Sequence, residues 1–274
     1  MKLLAIGDFH GCFPPKLKDL AKDVDLILCT GDFGGSDDLL NVLFKNLGGD
    51  WIENVGEKKA KSLIEEDYES GKKILKELND LKKPVYFVFG NWDFDDVGNY
   101  ERFGGFNLES YVDLIKKEYP FFNFIHKRNV FFKNISIFGY GGMTVASSYV
   151  KEKTVMSSER RKDLVMQNKN DTEELFKYSK FSVDVFLAHY PPEGVFDKVV
   201  FKGYNPMNGK HVGFSGYRTY IFKRKPKVFI CGHMHEYQGM RKLGDTLVVS
   251  TGAAKDGKAA LISIDGGVKV EFID

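Results

Sequence analysis

The chain has 274 residues, of which 43% are hydrophobic and 28% are charged, as in an ordinary globular protein. Its formal net charge of +2 provides no strong overall field that would attract nucleic acid or a membrane surface. The three cysteines, Cys12, Cys29 and Cys231, are odd in number and widely spaced, which argues against a disulfide scaffold and favours a reducing cytoplasm. No stretch of about 18 uncharged apolar residues predicts a transmembrane helix, and the N-terminus has no signal-peptide pattern.

Five short apolar runs predict buried strands, and each run leads directly into a polar loop. The runs are KLLAIG (2–7), DLILCT (25–30), PVYFVF (84–89), VDVFLA (183–188) and KVFIC (227–231). Continuous apolar strands of this kind are buried on both faces. Because ligands bind beyond the carboxyl ends of the strands in open α/β sheets, the five polar loops predict one shared site.

Helical patterns separate these strands, and further strands follow in the C-terminal third. Predicted helices cover 14–22, 36–45, 57–81, 157–178 and 219–223, and predicted strands cover 246–250, 259–264 and 268–273. The combination of strand–helix units with a β-meander predicts an α/β fold in which two packed mixed sheets are flanked by helices. We expect a single domain over residues 1–274, with an insertion or lid at about 142–180.

Four of the six histidines follow predicted buried strands, together with two aspartates and an asparagine. These residues are Asp8, His10, Asp32, Asn91, His189, His233 and His235. A single histidine in such a place is more often a hydrogen-bonded structural residue, but the whole set at the strand ends is hard to explain in that way. Imidazoles together with carboxylates are ligands for Mn, Fe, Zn or Co, whereas Mg and Ca favour oxygen ligands alone.

The loops that carry these residues resemble the motifs of the calcineurin-like metallophosphoesterase superfamily. In chain order the loops are DFHG (8–11), GDFGG (31–35), GNWD (90–93), AHYPP (188–192) and GHMHE (232–236). The corresponding superfamily motifs, in the same order, are D-x-H, G-D, G-N-H-D/E, H and G-H-x-H. Four segments are also similar to the Icc-related phosphoesterases within it, namely GYGGM (139–143), AHYPPEGVFD (188–197), GKHVGFSGYR (209–218) and CGHMHEYQG (231–239). The resemblance implies a four-layer αββα sandwich.

The resemblance also implies a site with two divalent metal ions. One ion would be held by Asp8, His10 and His235, the other by Asn91, His189 and His233, and Asp32 would bridge both. Two ions about 3.5–4 Å apart clamp the attacking and leaving oxygens of an in-line displacement, and a hydroxide bridging them would be the nucleophile. Asp32 and Asn91 would thus serve catalysis as well as metal binding. Among Mn, Fe, Zn, Co and Ni, we favour Mn.

One position departs from the superfamily pattern, because Trp92 stands where the resemblance implies a histidine that protonates the leaving group or stabilises the transition state. An indole N–H donates a hydrogen bond but cannot transfer a proton, so Trp92 predicts weaker catalysis and is a candidate substrate contact. We hypothesise that His211 supplies the proton instead; the alternative is a surface or substrate-contact histidine. Arg218 is a candidate phosphate contact, or else a solvated residue on a helix face. Asp93 is expected to orient the Asn91 loop.

Together these observations predict a hydrolase that acts on a small phosphoester, with a phosphodiester or a nucleotide-type compound favoured. One alternative is a catalytically weak or silent scaffold of the same fold, which Trp92 favours and the complete ligand set opposes. Another is a nuclease, which would need a basic groove with stacking aromatic side chains and is disfavoured by the near-neutral charge. We expect a monomer or a homodimer with no membrane partner, and nucleic acid stays open as a less favoured partner.

Overall fold

Two six-stranded sheets form the centre of the structure, a computed structural model that describes residues 1–46, 50–95, 106, 108–151, 158–200 and 207–274. In spatial order, the first sheet contains β12 (Val268–Ile273), β11 (Ala259–Ile264), β1 (Lys2–Ile6), β2 (Leu26–Cys29), β3 (Val85–Phe87) and β4 (Phe122–Phe124). The second contains β5 (Arg128–Phe132), β6 (Ile135–Tyr140), β7 (Val185–Ala188), β8 (Val228–Cys231), β10 (Thr246–Thr251) and β9 (Gln238–Leu243).

The central strands of both sheets are parallel, and antiparallel strands complete the edges. In the first sheet β1 to β4 run parallel, with Leu4 opposite Ile27 and Cys29 opposite Phe87, whereas β11 and β12 are antiparallel. In the second sheet β6, β7, β8 and β10 run parallel, and β5 and β9 are antiparallel to their neighbours. Since parallel strands end at the same edge, the loops that follow β1, β2 and β3 lie side by side, as do those that follow β7 and β8.

Helices cover the outer face of each sheet. Within the described residues they are α1 (Pro15–Lys22), α2 (Asp37–Lys45), α3 (Trp51–Val55), α4 (Glu57–Asp80), α5 (Tyr111–Glu118), α6 (Ser147–Lys151), α7 (Ser158–Tyr178) and α8 (Ser215–Arg224), with a 3₁₀ turn at Ala254–Asp256. Ser36 caps α2, because its side chain accepts a hydrogen bond from the backbone N–H of Leu39 at 3.4 Å. None of the helices that the structure describes is long and apolar enough to span a membrane.

Alternate residues of the inner strands face different layers, as the two-residue repeat of a strand requires. In β1, Leu3 and Ala5 lie in the core between the two sheets, whereas Leu4 and Ile6 pack with the helices of the first sheet. The same alternation in β7 places Leu187 between the sheets and Phe186 against the helices of the second sheet. The four layers are therefore helix, sheet, sheet and helix, which confirms the predicted fold class.

The element boundaries agree with the sequence patterns in most places. The predicted helices at 14–22, 36–45 and 57–81 are confirmed to within one residue, and the helix predicted at 157–178 covers Ser158–Tyr178. The helix predicted at 219–223 is longer in the structure and begins at Ser215, because tertiary packing outweighs the low helix propensity of Gly216. Residues 152–157, within the expected insertion at about 142–180, lie outside the described residues. The insertion and the single domain stay predictions.

Candidate metal centre

The seven residues singled out at strand ends come together in the structure. Asp8 and His10 follow β1, Asp32 follows β2, Asn91 follows β3, His189 follows β7, and His233 and His235 follow β8. Both sheets thus contribute to one site, with β1, β2 and β3 on one side and β7 and β8 on the other. The loops meet because the carboxyl ends of the parallel strands lie at one edge of each sheet.

Six of the side chains form two groups of three, and the three members of each group converge on one point. The Asp8 group consists of Asp8, His10 and His235, and the Asp32 group consists of Asp32, His189 and His233. Within each group one potential ligand atom per residue lies within 4.8 Å of the others. In the Asp8 group, Nε2 of His235 is 3.1 Å from Nε2 of His10 and 3.5 Å from Oδ1 of Asp8. Imidazole nitrogens and carboxylate oxygens in this arrangement fit a divalent cation of the Mn, Fe, Zn, Co or Ni class.

Asp32 connects the two groups. Its Oδ2 atom lies 3.4 Å from Nε2 of His189 and 3.8 Å from Nε2 of His10, which belongs to the other group. Asn91 joins the Asp32 group, since its Oδ1 atom is 2.9 Å from Nε2 of His189. One carboxylate therefore faces both potential cation positions.

Four of these residues have a left-handed backbone that side-chain-bearing residues seldom adopt. The φ angles are 54° for Asp8, 42° for His10, 55° for Asp32 and 66° for His233. Each such residue costs of order 1–3 kcal/mol, and such residues persist at functional sites where the surrounding structure fixes them. The four residues are divided between the Asp8 group and the Asp32 group, which is consistent with a functional site.

Two glycines leave the space that the carboxylates occupy. A Cβ atom on Gly90 would lie 2.1 Å from Oδ1 of Asp32 and 2.6 Å from Cε1 of His189. A Cβ atom on Gly232 would lie 2.3 Å from Oδ2 of Asp8. The backbone therefore approaches both carboxylates so closely that a side chain at either position would displace them.

A second set of contacts orients the residues of the two groups. The backbone N–H groups of Asp32, Phe33 and Gly90 donate to the carboxylate of Asp93 at 2.8, 2.7 and 2.7 Å. Asp93 thus ties the loop after β2 to the loop after β3, which is the orienting role expected of it. Burial and the neighbouring Asp32 charge raise the pKa of Asp93 to about 7.

The hydrogen bond of His189 fixes the orientation of its ring. Its Nδ1–H donates to the carbonyl oxygen of Thr30 at 2.9 Å, so Nε2 points toward Asp32 and Asn91. A backbone carbonyl that accepts from one imidazole nitrogen is a common way to present the other nitrogen to a metal. A different contact orients Asp8, because the backbone N–H of His233 donates to both of its carboxylate oxygens at 3.0 Å.

The electrostatics favour anionic carboxylates and two neutral imidazoles. Burial lowers the pKa of His10 to about 4 and that of His233 to about 3, so both rings are neutral at pH 7. Burial alone would lower the pKa of His189, but the Asp32 carboxylate outweighs it and raises the pKa to about 9. Burial alone would raise the pKa of Asp32, and His189 and His10 hold it well below its usual range. With a pKa of about 9, the His189 ring is protonated at pH 7, and a divalent cation at Nε2 would displace the proton on that nitrogen.

The indole of Trp92 is hydrogen-bonded to helix α4. Its backbone N–H donates to Oδ1 of Asp32 at 2.8 Å, and its indole Nε1–H donates to Oδ1 of Asp67 in α4 at 3.0 Å. The side chain is 6% exposed. The role of Trp92 as a substrate contact stays a prediction, and the structure gives the indole a buried protein partner.

His211 and Arg218 lie on the segments that follow β7. Nδ1 of His211 is 2.9 Å from Oδ1 of the buried Asp197, and the His211 side chain is half exposed. Its neighbour Val212 packs in a cluster with Met234, which lies between the two histidines after β8. Nη1 of Arg218 donates to the carbonyl of Glu193 at 3.2 Å, so part of its guanidinium already has a protein partner. The proton-donor and phosphate-contact roles stay predictions.

Sequence reasoning missed three residues of the surroundings, namely Thr30, Asp67 and Asp197. Asp67 left a signal in the sequence, because it falls on the apolar face of α4, three residues after Ile64 and seven before Ile74. A carboxylate on such a face is buried and needs a partner. The carbonyl of Thr30 leaves no sequence signal, since every residue has one.

The fold is a sandwich of two sheets in which residues from both sheets form two groups that could each hold a metal ion, and comparisons identify the family. The chain belongs to the calcineurin-like phosphoesterase family, whose family model matches residues 1–237. One solved crystal structure is 19% identical with a TM-score of 0.63, covering 100% of this chain and 99% of that chain. A protein from Thermus thermophilus is 14% identical with a TM-score of 0.53, covering 99% of this chain and 97% of that chain. At these identities the likeness shows the fold alone. The sequence matches no curated protein.

Proposed function

We propose that the chain is a hydrolase that cleaves a phosphoester with the help of two divalent metal ions, one at the Asp8 group and one at the Asp32 group. The observation that carries the proposal is the position of Asp32, whose Oδ2 atom faces His10 on one side and His189 on the other at 3.8 and 3.4 Å. When bound, two such ions would activate water and neutralise charge on the phosphoryl oxygens.

The proposed ligands follow the two groups. Asp8, His10 and His235 would hold one ion, His189, His233 and Asn91 would hold the other, and Asp32 would contact both. The fit rests on the donor set, because buried carboxylates and buried or half-buried imidazoles converge on each of the two positions. A mixed nitrogen and oxygen set suits Mn, Fe, Zn, Co and Ni alike, and among these we propose Mn.

His211 is our candidate for the group that protonates the leaving oxygen. Asp197 accepts from Nδ1 of His211 at 2.9 Å, which leaves Nε2 to face solvent or a substrate. The segment that carries His211 packs against Met234, between the proposed ligands His233 and His235. A histidine held in this way can act as a general acid.

The substrate class that we favour is a small phosphodiester or a nucleotide-type phosphoester. The near-neutral net charge supports a small substrate over a nucleic-acid polymer, which would need a strong basic footprint. A nuclease would instead bind single-stranded nucleic acid with a steep dependence on salt.

The test is hydrolysis of a bis-aryl phosphodiester and of the matching aryl monoester by the purified protein with added Mn²⁺. We expect Mn²⁺-dependent turnover that the Asp32→Ala variant loses, with the diester cleaved faster. The matched control is Asp19→Ala, which removes an exposed carboxylate of α1 that pairs with a neighbour on the same helix. Equal turnover by wild type and Asp32→Ala would contradict the proposed site.

A scaffold without catalysis is the second candidate, and Trp92 favours it because no proton-transferring side chain occupies that position. The same assay separates the two. A protein that binds two Mn²⁺ ions and turns over neither ester would be a scaffold. Turnover of either ester in the wild type excludes a purely structural role.

A further inference from the structure

Trp92 connects a proposed metal ligand to a helix outside the site. Its backbone N–H donates to Oδ1 of Asp32 at 2.8 Å, while its indole Nε1–H donates to Oδ1 of Asp67 at 3.0 Å. Asp67 is fully buried in the middle of α4, and Trp92 is almost fully buried. A single residue therefore spans the distance from the Asp32 carboxylate to the helix.

We propose that Trp92 and Asp67 are a pair of positioning residues that hold the Asp32 carboxylate and the Asn91 loop against α4. The inference rests on the proposed function, in which Asp32 and Asn91 are metal ligands. The superfamily motif implies a histidine at this position, and Trp92 supplies a fixed hydrogen-bond donor in its place. A tryptophan suits an anchor because its N–H is a permanent donor that never ionises and never accepts.

Helix α4 is a rigid support for that anchor because it packs directly on the ligand loops. A Cβ atom on Gly71 would lie 2.0 Å from the hydroxyl oxygen of Tyr111 and 3.0 Å from the backbone nitrogen of Gly34. The hydroxyl of Ser70, the preceding residue, accepts from the backbone N–H of Gly35 at 3.3 Å. The turn of α4 that carries Asp67 thus touches the loop after β2 as well as the loop after β3.

The burial of the pair makes its hydrogen bond important for the geometry. In the buried interior, the hydrogen bond between the indole N–H and the side-chain oxygen of Asp67 is stronger than it would be in water. If either group is removed, the contacts of the remaining partner change in a low-dielectric environment, and we expect the loop to move in response. Because the backbone N–H of Trp92 touches Asp32 itself, that movement reaches the proposed bridging ligand.

The experiment measures Mn²⁺ affinity by calorimetry on the folded protein, with variants that remove either end of the bond. Trp92→Phe keeps an aromatic ring and loses the N–H, and Asp67→Leu keeps the branched shape and loses the acceptor. We expect each to weaken Mn²⁺ binding by about 10–100-fold, the usual range for residues that orient metal ligands. Asp67→Asn keeps an oxygen acceptor and should retain near-wild-type affinity.

Two comparisons make the result specific to the pair. Trp51→Phe, at the start of α3, is the matched control and should leave Mn²⁺ affinity unchanged. The double variant of Trp92→Phe with Asp67→Leu should lose no more affinity than either single variant, because both remove the same bond. Losses that multiply in the double variant, or wild-type affinity in both single variants, would overturn the pair. If Trp92→Phe does not fold, the contrast between Asp67→Leu and Asp67→Asn decides the question.

The outcome for the wild-type protein separates this inference from the proposed function. Tight Mn²⁺ binding by wild type that Trp92→Phe and Asp67→Leu leave untouched would overturn the positioning pair and leave the metal site standing. A wild-type protein that binds no Mn²⁺ or other ion of its class would overturn both.

Discussion

Substitution of Gly90 by alanine tests the geometry of the site without replacing a proposed ligand. The added Cβ would lie 2.1 Å from Oδ1 of Asp32, and the backbone of Gly90 is not left-handed, so the substitution adds volume and no backbone strain. Real Cβ atoms essentially never lie closer than 3.0 Å to another heavy atom, so the carboxylate must retreat by about 1 Å or more. It cannot simply rotate, because Oδ1 also accepts from the backbone N–H of Trp92.

The size of the effect follows from that displacement. A misplacement of about 1 Å at reacting groups can cost about 100-fold in rate, so kcat/KM should fall by about that factor. Overpacking of a close-packed interior costs about 1–3 kcal/mol, which corresponds to a Tm lower by several degrees. The variant should therefore be folded, measurably less stable and strongly impaired in Mn²⁺-dependent hydrolysis of the aryl diester.

The control for Gly90→Ala is Gly267→Ala in the β11–β12 turn, where the added Cβ meets no atom within 4 Å. This variant should keep wild-type stability and activity. If Gly90→Ala were as active as Gly267→Ala, the carboxylate of Asp32 would not need its observed position and the reasoning from geometry would be refuted.

Three further variants test other parts of the account. His211→Asn should slow hydrolysis of an alkyl phosphodiester by about 10²–10⁴-fold and spare the aryl diester, whose leaving group needs no proton. Tyr111→Phe should lower the free energy of unfolding in urea by about 1–2 kcal/mol, since it removes the buried hydroxyl that donates to a backbone carbonyl at 2.9 Å. Burial alone would raise the pKa of Asp184, but Lys227 and Ser136 outweigh it and hold the pKa below its usual value. Asp184→Asn should therefore be less stable than wild type at pH 6, with the gap closing as the pH falls below about 4.

The contrary results are equally concrete. An unchanged rate on the alkyl diester would eliminate His211 as the acid, and an unchanged unfolding curve for Tyr111→Phe would mean that water replaces its hydroxyl. For Asp184 the sign of the pH dependence matters. A carboxyl whose pKa is lowered by folding contributes stability above its unfolded pKa and loses it as the pH falls, so a gap that widened in acid would contradict the assignment.

The sequence showed which residues would come together because strand ends and the loops that follow them are local features. The apolar run of β1 is followed at once by Asp8 and His10, and that of β8 by His233 and His235, so each junction could be identified without knowledge of the fold. The two-sheet architecture followed from the alternation of strands and helices. The prediction that these junctions lie close together rested on the rule that parallel strands end at one edge of a sheet.

Contacts between distant segments could not be predicted in this way. The hydrogen bond between Trp92 and Asp67 joins a loop to a helix 25 residues away in sequence, and the pairing of His211 with Asp197 depends on how the segment after β7 folds back. The sequence therefore suggested a substrate contact for Trp92, whereas the structure places its indole against α4. The start of α8 was also missed, because Gly216 is a poor helix former whose place is decided by packing beneath Phe214.

The most direct test of the account is a crystal structure of the Mn²⁺-loaded protein with anomalous scattering data collected at the manganese edge. The account predicts two anomalous peaks about 3.5–4 Å apart, one at the Asp8 group and one at the Asp32 group, with the Asp32 carboxylate between them. A single peak, or peaks that lie away from both groups while the protein still hydrolyses the phosphoester, would contradict the two-metal site.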